Sequence, residues 1–132
     1  MSDNYIVIQR QERPKIIKVK DGNKVFGEIY EITSRAIGAE RVNVAKVILW
    51  GPDFLHFHKR AEETYICTEG AGEIFLDEEI FDFVLGTRVI IKPKVIHAAR
   101  PKKDLTRLVF TCVSSPAFSY MDVVKDTRGR VW

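Results

Sequence analysis

The stretch Gly51-Pro-Asp-Phe-Leu-His56-Phe-His58-Lys-Arg-Ala-Glu62-Glu63, read with Gly86-Thr-Arg-Val-Ile-Ile-Lys92-Pro93-Lys94-Val-Ile-His97, holds all three histidines of the chain. Successive side chains of a β-strand point to opposite faces, so His56 and His58 share a face while Phe57 points the other way. Along a strand the two imidazoles stand about 7 Å apart, close enough to grip one metal ion. Glu63 opens the next hydrophobic alternation, Glu63-Thr-Tyr-Ile-Cys67, and offers a hard oxygen. His97 follows a second strand-like run and completes a set of three nitrogens and one oxygen. That donor set suits a divalent first-row transition metal.

The spacing of these residues resembles the two sequence motifs of the cupin superfamily. The first motif, G-x5-HxH-x3–4-E-x6-G, is met by His56-x-His58-x4-Glu63-x6-Gly70, with Gly51 one residue closer to His56 than the pattern asks. The second, G-x5-PxG-x2-H-x3-N, keeps its frame as Gly86-x5-Lys92-x-Lys94-x2-His97. Lysines stand where the family has proline and glycine, and Pro101 replaces the final asparagine. The likeness covers roughly residues 40–115. It implies an all-β fold, the cupin double-stranded β-helix: a jelly-roll barrel of antiparallel sheets around one metal ion held by His56, His58, Glu63 and His97.

The rest of the chain agrees with an all-β reading. Short apolar alternations over Arg41–Leu49, Phe54–His58, Glu63–Thr68, Gly72–Leu76, Ile80–Val84, Arg88–Lys92, His97–Arg100 and Leu105–Val113 are separated by turn residues, as in a sandwich or barrel. Upstream, Tyr5–Gln9 and Pro14–Lys20 read as strands, the second alternating apolar residues with lysine. Between Lys24 and Thr33 the spacing of Val25, Ile29 and Ile32 predicts a short helix. The expected organisation is an N-terminal extension over 1–40, a barrel over 41–115 and a C-terminal tail over 116–132 lying across the outside. The N-terminal extension is expected to pack on the barrel or on a partner subunit. Small cupins usually pair through their sheets, which implies a homodimer.

Composition narrows the class of function. At 132 residues and 15.2 kDa the chain suits one domain with a single core. A net charge of +3, spread along the chain and without a nucleic-acid-binding motif, argues against DNA or RNA as partner. No apolar run approaches a membrane span, and Met1-Ser-Asp-Asn-Tyr5 lacks the pattern of a signal peptide, so the expected location is the cytoplasm. Cys67 and Cys112 lie inside apolar runs and read as buried free thiols. Many Lys, Arg and Glu, few Asn and Gln, and abundant Ile and Val resemble a thermophile's composition.

A divalent ion on four protein donors keeps positions open, which suits a catalytic rather than a structural site. Imidazole with carboxylate does not choose among Mn, Fe, Ni, Cu and Zn. Tyr65 shares the parity of Glu63 and is the candidate catalytic hydrogen-bond donor. Lys92, Lys94 and Arg100, near His97 in sequence, are candidate substrate-binding groups for a carboxylate or phosphate. The expected activity is a metal-dependent reaction on a small polar or anionic molecule, of dioxygenase, decarboxylase or isomerase type. The alternative is a non-catalytic module that binds or senses a small ligand.

Overall fold

The computed structural model describes residues 4–9, 14–102, 107–128 and 132. Eleven strands are formed among them: β1 Lys15–Asp21, β2 Lys24–Glu31, β3 Asn43–Leu49, β4 His56–His58, β5 Glu62–Glu69, β6 Ala71–Leu76, β7 Glu79–Val84, β8 Arg88–Ile91, β9 His97–Pro101, β10 Leu108–Ser115 and β11 Val123–Lys125. Two single 3-10 turns, Arg35–Ile37 and Tyr120–Asp122, complete the regular structure. No helix of the described residues is long and apolar enough to cross a membrane.

The strands make two antiparallel sheets, ordered β1-β2-β3-β10-β5-β8 and β11-β4-β9-β6-β7. Period-two alternation decides which side chains go between them. On β3, Asn43, Ala45, Val47 and Leu49 are buried, and on β5 Glu63, Tyr65 and Cys67 are buried. Ile74, Phe83 and Leu108 are fully enclosed, and with Leu49 and Phe110 they belong to one apolar core cluster. Gly70 and Gly86, the glycines of the two motifs, both sit in turns with positive φ (84° and 88°), where a side chain would strain the backbone.

Three expectations are corrected. Lys24–Thr33 is not a helix: Lys24–Glu31 is strand β2, paired with β1 on one side and β3 on the other. The register between β1 and β2 slips after Val19, leaving Phe26 as an extra residue with no partner opposite. Such a bulge shifts the inward phase by one. Phe26 and Gly27 are therefore both buried, and the apolar spacing imitates a helix. Tyr5–Gln9 forms no strand, and Tyr5, Ile6 and Val7 are exposed. The C-terminal segment does more than cover the outside, because β11 pairs with β4 through Val123↔His58 and Lys125↔His56. The first residues expected in the last barrel strand, 105 and 106, lie outside the described residues.

Candidate metal centre

Strand β4 carries His56 and His58 to the interior, and β9 begins at His97 directly opposite His56. Ring centroids lie 5.4 Å apart for His56–His58, 4.3 Å for His56–His97 and 5.4 Å for His58–His97. One nitrogen from each ring falls within 4.8 Å of the others, and all three residues are buried. Glu63 reaches them from β5 in the opposite sheet, its Oε1 2.9 Å from His58 Nε2 and 3.2 Å from His97 Nε2.

The donor chemistry suits a divalent cation. His56 Nδ1 lies 2.9 Å from the Phe54 carbonyl and His97 Nδ1 2.9 Å from the Val95 carbonyl. A carbonyl only accepts, so both Nδ1 atoms carry the proton and both Nε2 atoms present a lone pair. His58 Nε2 and His97 Nε2 are buried without a hydrogen bond. Glu63 Oε1 is near enough to each but does not lie on a hydrogen-bonding line, so nitrogen and oxygen donors are gathered without satisfying one another. Burial, then the neighbouring His97, pushes His56 down to about 3, which keeps its imidazole neutral. Burial alone would raise Glu63, but contacts with His58 and His97 outweigh it and hold the carboxyl well below the usual range.

Several groups around this set come from distant parts of the chain. The Cys112 thiol, on β10, donates to Glu63 Oε2 at 3.2 Å, and the Tyr65 hydroxyl approaches Glu63 Oε1 at 3.5 Å. Asp122 Oδ2 stands 3.9 Å from His58 Nδ1 while its two oxygens accept the Arg60 and Ala61 N–H groups. Phe118 packs edge-on to the His58 ring. Asp53 accepts the Phe54 N–H at 2.8 Å and lies 3.9 Å from His56 Nδ1; burial pushes its carboxyl up to about 7. A cavity of about 310 Å³ opens here, its wall including Asp53, His56, His58, Glu63 and Tyr65 among apolar residues such as Val19, Val47, Phe110 and Phe118.

The structure thus brings His56, His58, Glu63, His97 and Tyr65 together. It does not bring Lys92, Lys94 or Arg100 to the cavity wall. Lys92 has a side chain 70% exposed and pairs with Glu62 at 2.6 Å. Lys94 takes a positive φ of 71° in the β8–β9 loop and gives its backbone N–H to the His58 carbonyl. Arg100 pairs with Glu73 at 3.0 Å and stacks over Trp132. Asp53, Asp122 and Phe118 were not singled out from sequence. Cys112 had a signal, the shared parity of Leu108, Phe110, Cys112 and Ser114, but parity does not show what lies opposite.

No family model matches the chain. A protein of uncharacterised function from Methanocaldococcus jannaschii is 35% identical over 68 residues, 52% of this chain and 54% of that protein. The chain thus spans about half the length of the curated relative it matches. Among solved structures, the nucleoside dehydratase Pac13 superposes with a TM-score of 0.70 at 17% identity, over 92% of each chain. The iron(II) form of HppE gives 0.71 at 16% identity, over 86% of this chain and 62% of its own. Ectoine synthase from P. lautus gives 0.63 at 17% identity, over 81% of this chain and 83% of its own. At such identities the likeness is one of fold, and it agrees with the motifs and the two facing sheets: the chain forms a cupin-like β-barrel domain.

Proposed function

We propose that the chain is a metal-dependent cupin acting on a small molecule in the cavity beside His56. His56, His58, Glu63 and His97 hold one divalent transition metal ion, Mn, Fe, Ni, Cu or Zn. The observation that carries this is the cluster of buried ring nitrogens, two with Nδ1 tied to carbonyls and two with Nε2 lacking any hydrogen bond. A bound ion would supply Lewis-acid polarisation, and a redox-active one also access to electron transfer.

The chain's own residues do the rest. Cys112 and Tyr65 hold the Glu63 carboxylate from both oxygens. The Tyr65 hydroxyl, on the cavity wall, is a neutral donor that a bound molecule could meet, and burial raises its pKa so that it keeps its proton. Val47, Phe110 and Phe118 give the cavity an apolar wall. A volume of about 310 Å³ admits a small substrate, at the lower end of ligand pockets. Pac13 is named as a nucleoside dehydratase, so dehydration joins dioxygenation, decarboxylation and isomerisation as reactions to assay.

Protein purified without chelator is expected to carry one metal ion per chain by elemental analysis. Oxygen uptake with diketones and phenolics, and product analysis with nucleosides and small keto acids, then tests turnover. Absence of stoichiometric metal after growth in each candidate ion would overturn the proposal. A metal-loaded protein that binds small molecules without converting them would move it to the ligand-binding alternative.

A further inference from the structure

A second pocket, of about 420 Å³, lies beside Asp122 and is lined by Arg35, Lys59 and Arg60. Three cations in one concavity repel each other unless something negative sits among them. Among the described residues Asp122 is the only carboxylate on the wall, and its two oxygens are engaged by the N–H groups of Arg60 and Ala61 at 2.8 and 3.0 Å. Among the described residues neither the Lys59 nor the Arg60 side chain makes an ion pair. Arg35 spends only its Nε, on the Ala117 carbonyl at 2.9 Å, and keeps its terminal amino groups.

The main chain that carries Lys59 and Arg60 is held in place before any ligand arrives, although their side chains are exposed. The Lys59 N–H donates to the Asp122 carbonyl at 2.9 Å and the Arg60 N–H to the Asp122 side chain. Arg35 is fixed through the same C-terminal segment. For Arg35, and for the backbone under Lys59 and Arg60, this prior fixing lowers the ordering cost of binding. Two guanidinium groups and an ammonium match the several oxygens of a phosphate better than the two of a carboxylate. Met121, 84% exposed at the pocket edge, offers an apolar surface to whatever carries the phosphate.

We infer that the pocket between Arg35 and Lys59–Arg60 binds a phosphate group of a small molecule, at a site separate from the metal cavity. The test is a titration of the isotope-labelled full chain with inorganic phosphate, at ionic strength held constant with chloride, read by backbone amide NMR shifts. Saturable shifts at Lys59, Arg60, Ala61 and Asp122 are expected. Arg60→Glu and Lys59→Glu, both at exposed side chains, should each weaken binding roughly tenfold or more, the worth of one lost charge-assisted contact. Their melting temperature should stay that of the parent. Shifts that fail to saturate, that survive both substitutions, or that centre on residues of the metal cavity would overturn the inference.

Discussion

His97 is the residue on which the two sheets and the two motifs converge. It is fully buried, its Nδ1 is committed to Val95, and its Nε2 is free of hydrogen bonds. His97→Ala is expected to lose most of the bound metal by elemental analysis, and full retention would show that the proposed donor set is wrong. Cys112 acts one step further out. Removing an outer partner of a ligand commonly weakens metal affinity about 10–100-fold. Cys112→Ala should fall at the lower end of that range in a chelator competition, since a thiol is a weak donor. Asp53 allows a test that needs no metal. Its folded value near 7 against 3.8 means the metal-free folded state binds the extra proton in that window, so its contribution falls as pH rises through it. His56 does the reverse: held near 3 against 6.5, it makes stability fall as pH drops through its window. The slopes oppose each other between 3.8 and 6.5. Asp53→Asn keeps an acceptor for the Phe54 N–H and removes one slope. Its urea-unfolding stability should exceed the parent's above pH 7 and match it below 3.8. An equal difference at both ends would contradict this.

Strand β2 shows how an element can be misread from its own residues. Val25, Ile29 and Ile32 fall at helical spacing, yet Val25 and Ile29 stand on either side of the bulge at Phe26, and Ile32 lies beyond the strand and is exposed. Gly27 separates the two readings by sign. In an exposed helix, glycine to alanine would stabilise by about 1 kcal/mol. In the strand a Cβ on Gly27 would stand 2.6 Å from Leu49 Cδ2 and 2.8 Å from the Ile48 carbonyl oxygen. Gly27→Ala should therefore destabilise by about 1–3 kcal/mol through overpacking, read as a lower denaturant midpoint. Strand β11 matters in the same way for the candidate site. By pairing with all of β4 it fixes the backbone of both histidines, and the adjoining turn delivers Asp122 to His58.

For the molecule as a whole, we expect a homodimer. The outer sheet faces leave Ile80, Phe81, Leu85 and Ile90 exposed near β7 and β8, and Ile16 exposed on the edge strand β1. Apolar edges of this kind are usually covered. Light scattering at micromolar concentration should give twice the chain mass, and a monomeric mass would count against the expectation. Strand β1 and the barrel strands β3 to β10, with their order in the chain, were legible in the sequence, because alternation is a local property set by a period of two residues; β2 and β11 were not. The proposed donor residues were legible too, since HxH on one strand needs no tertiary knowledge to share a face. What the chain does around them was decided by tertiary packing. Asp53, Cys112, Phe118 and Asp122 reach the histidines or Glu63 only because β10 and the C-terminal segment pack where they do. Lys92 and Arg100, close to His97 in sequence, are turned to Glu62 and Glu73 because neighbouring strand residues alternate faces and each cation found a carboxylate on its own side.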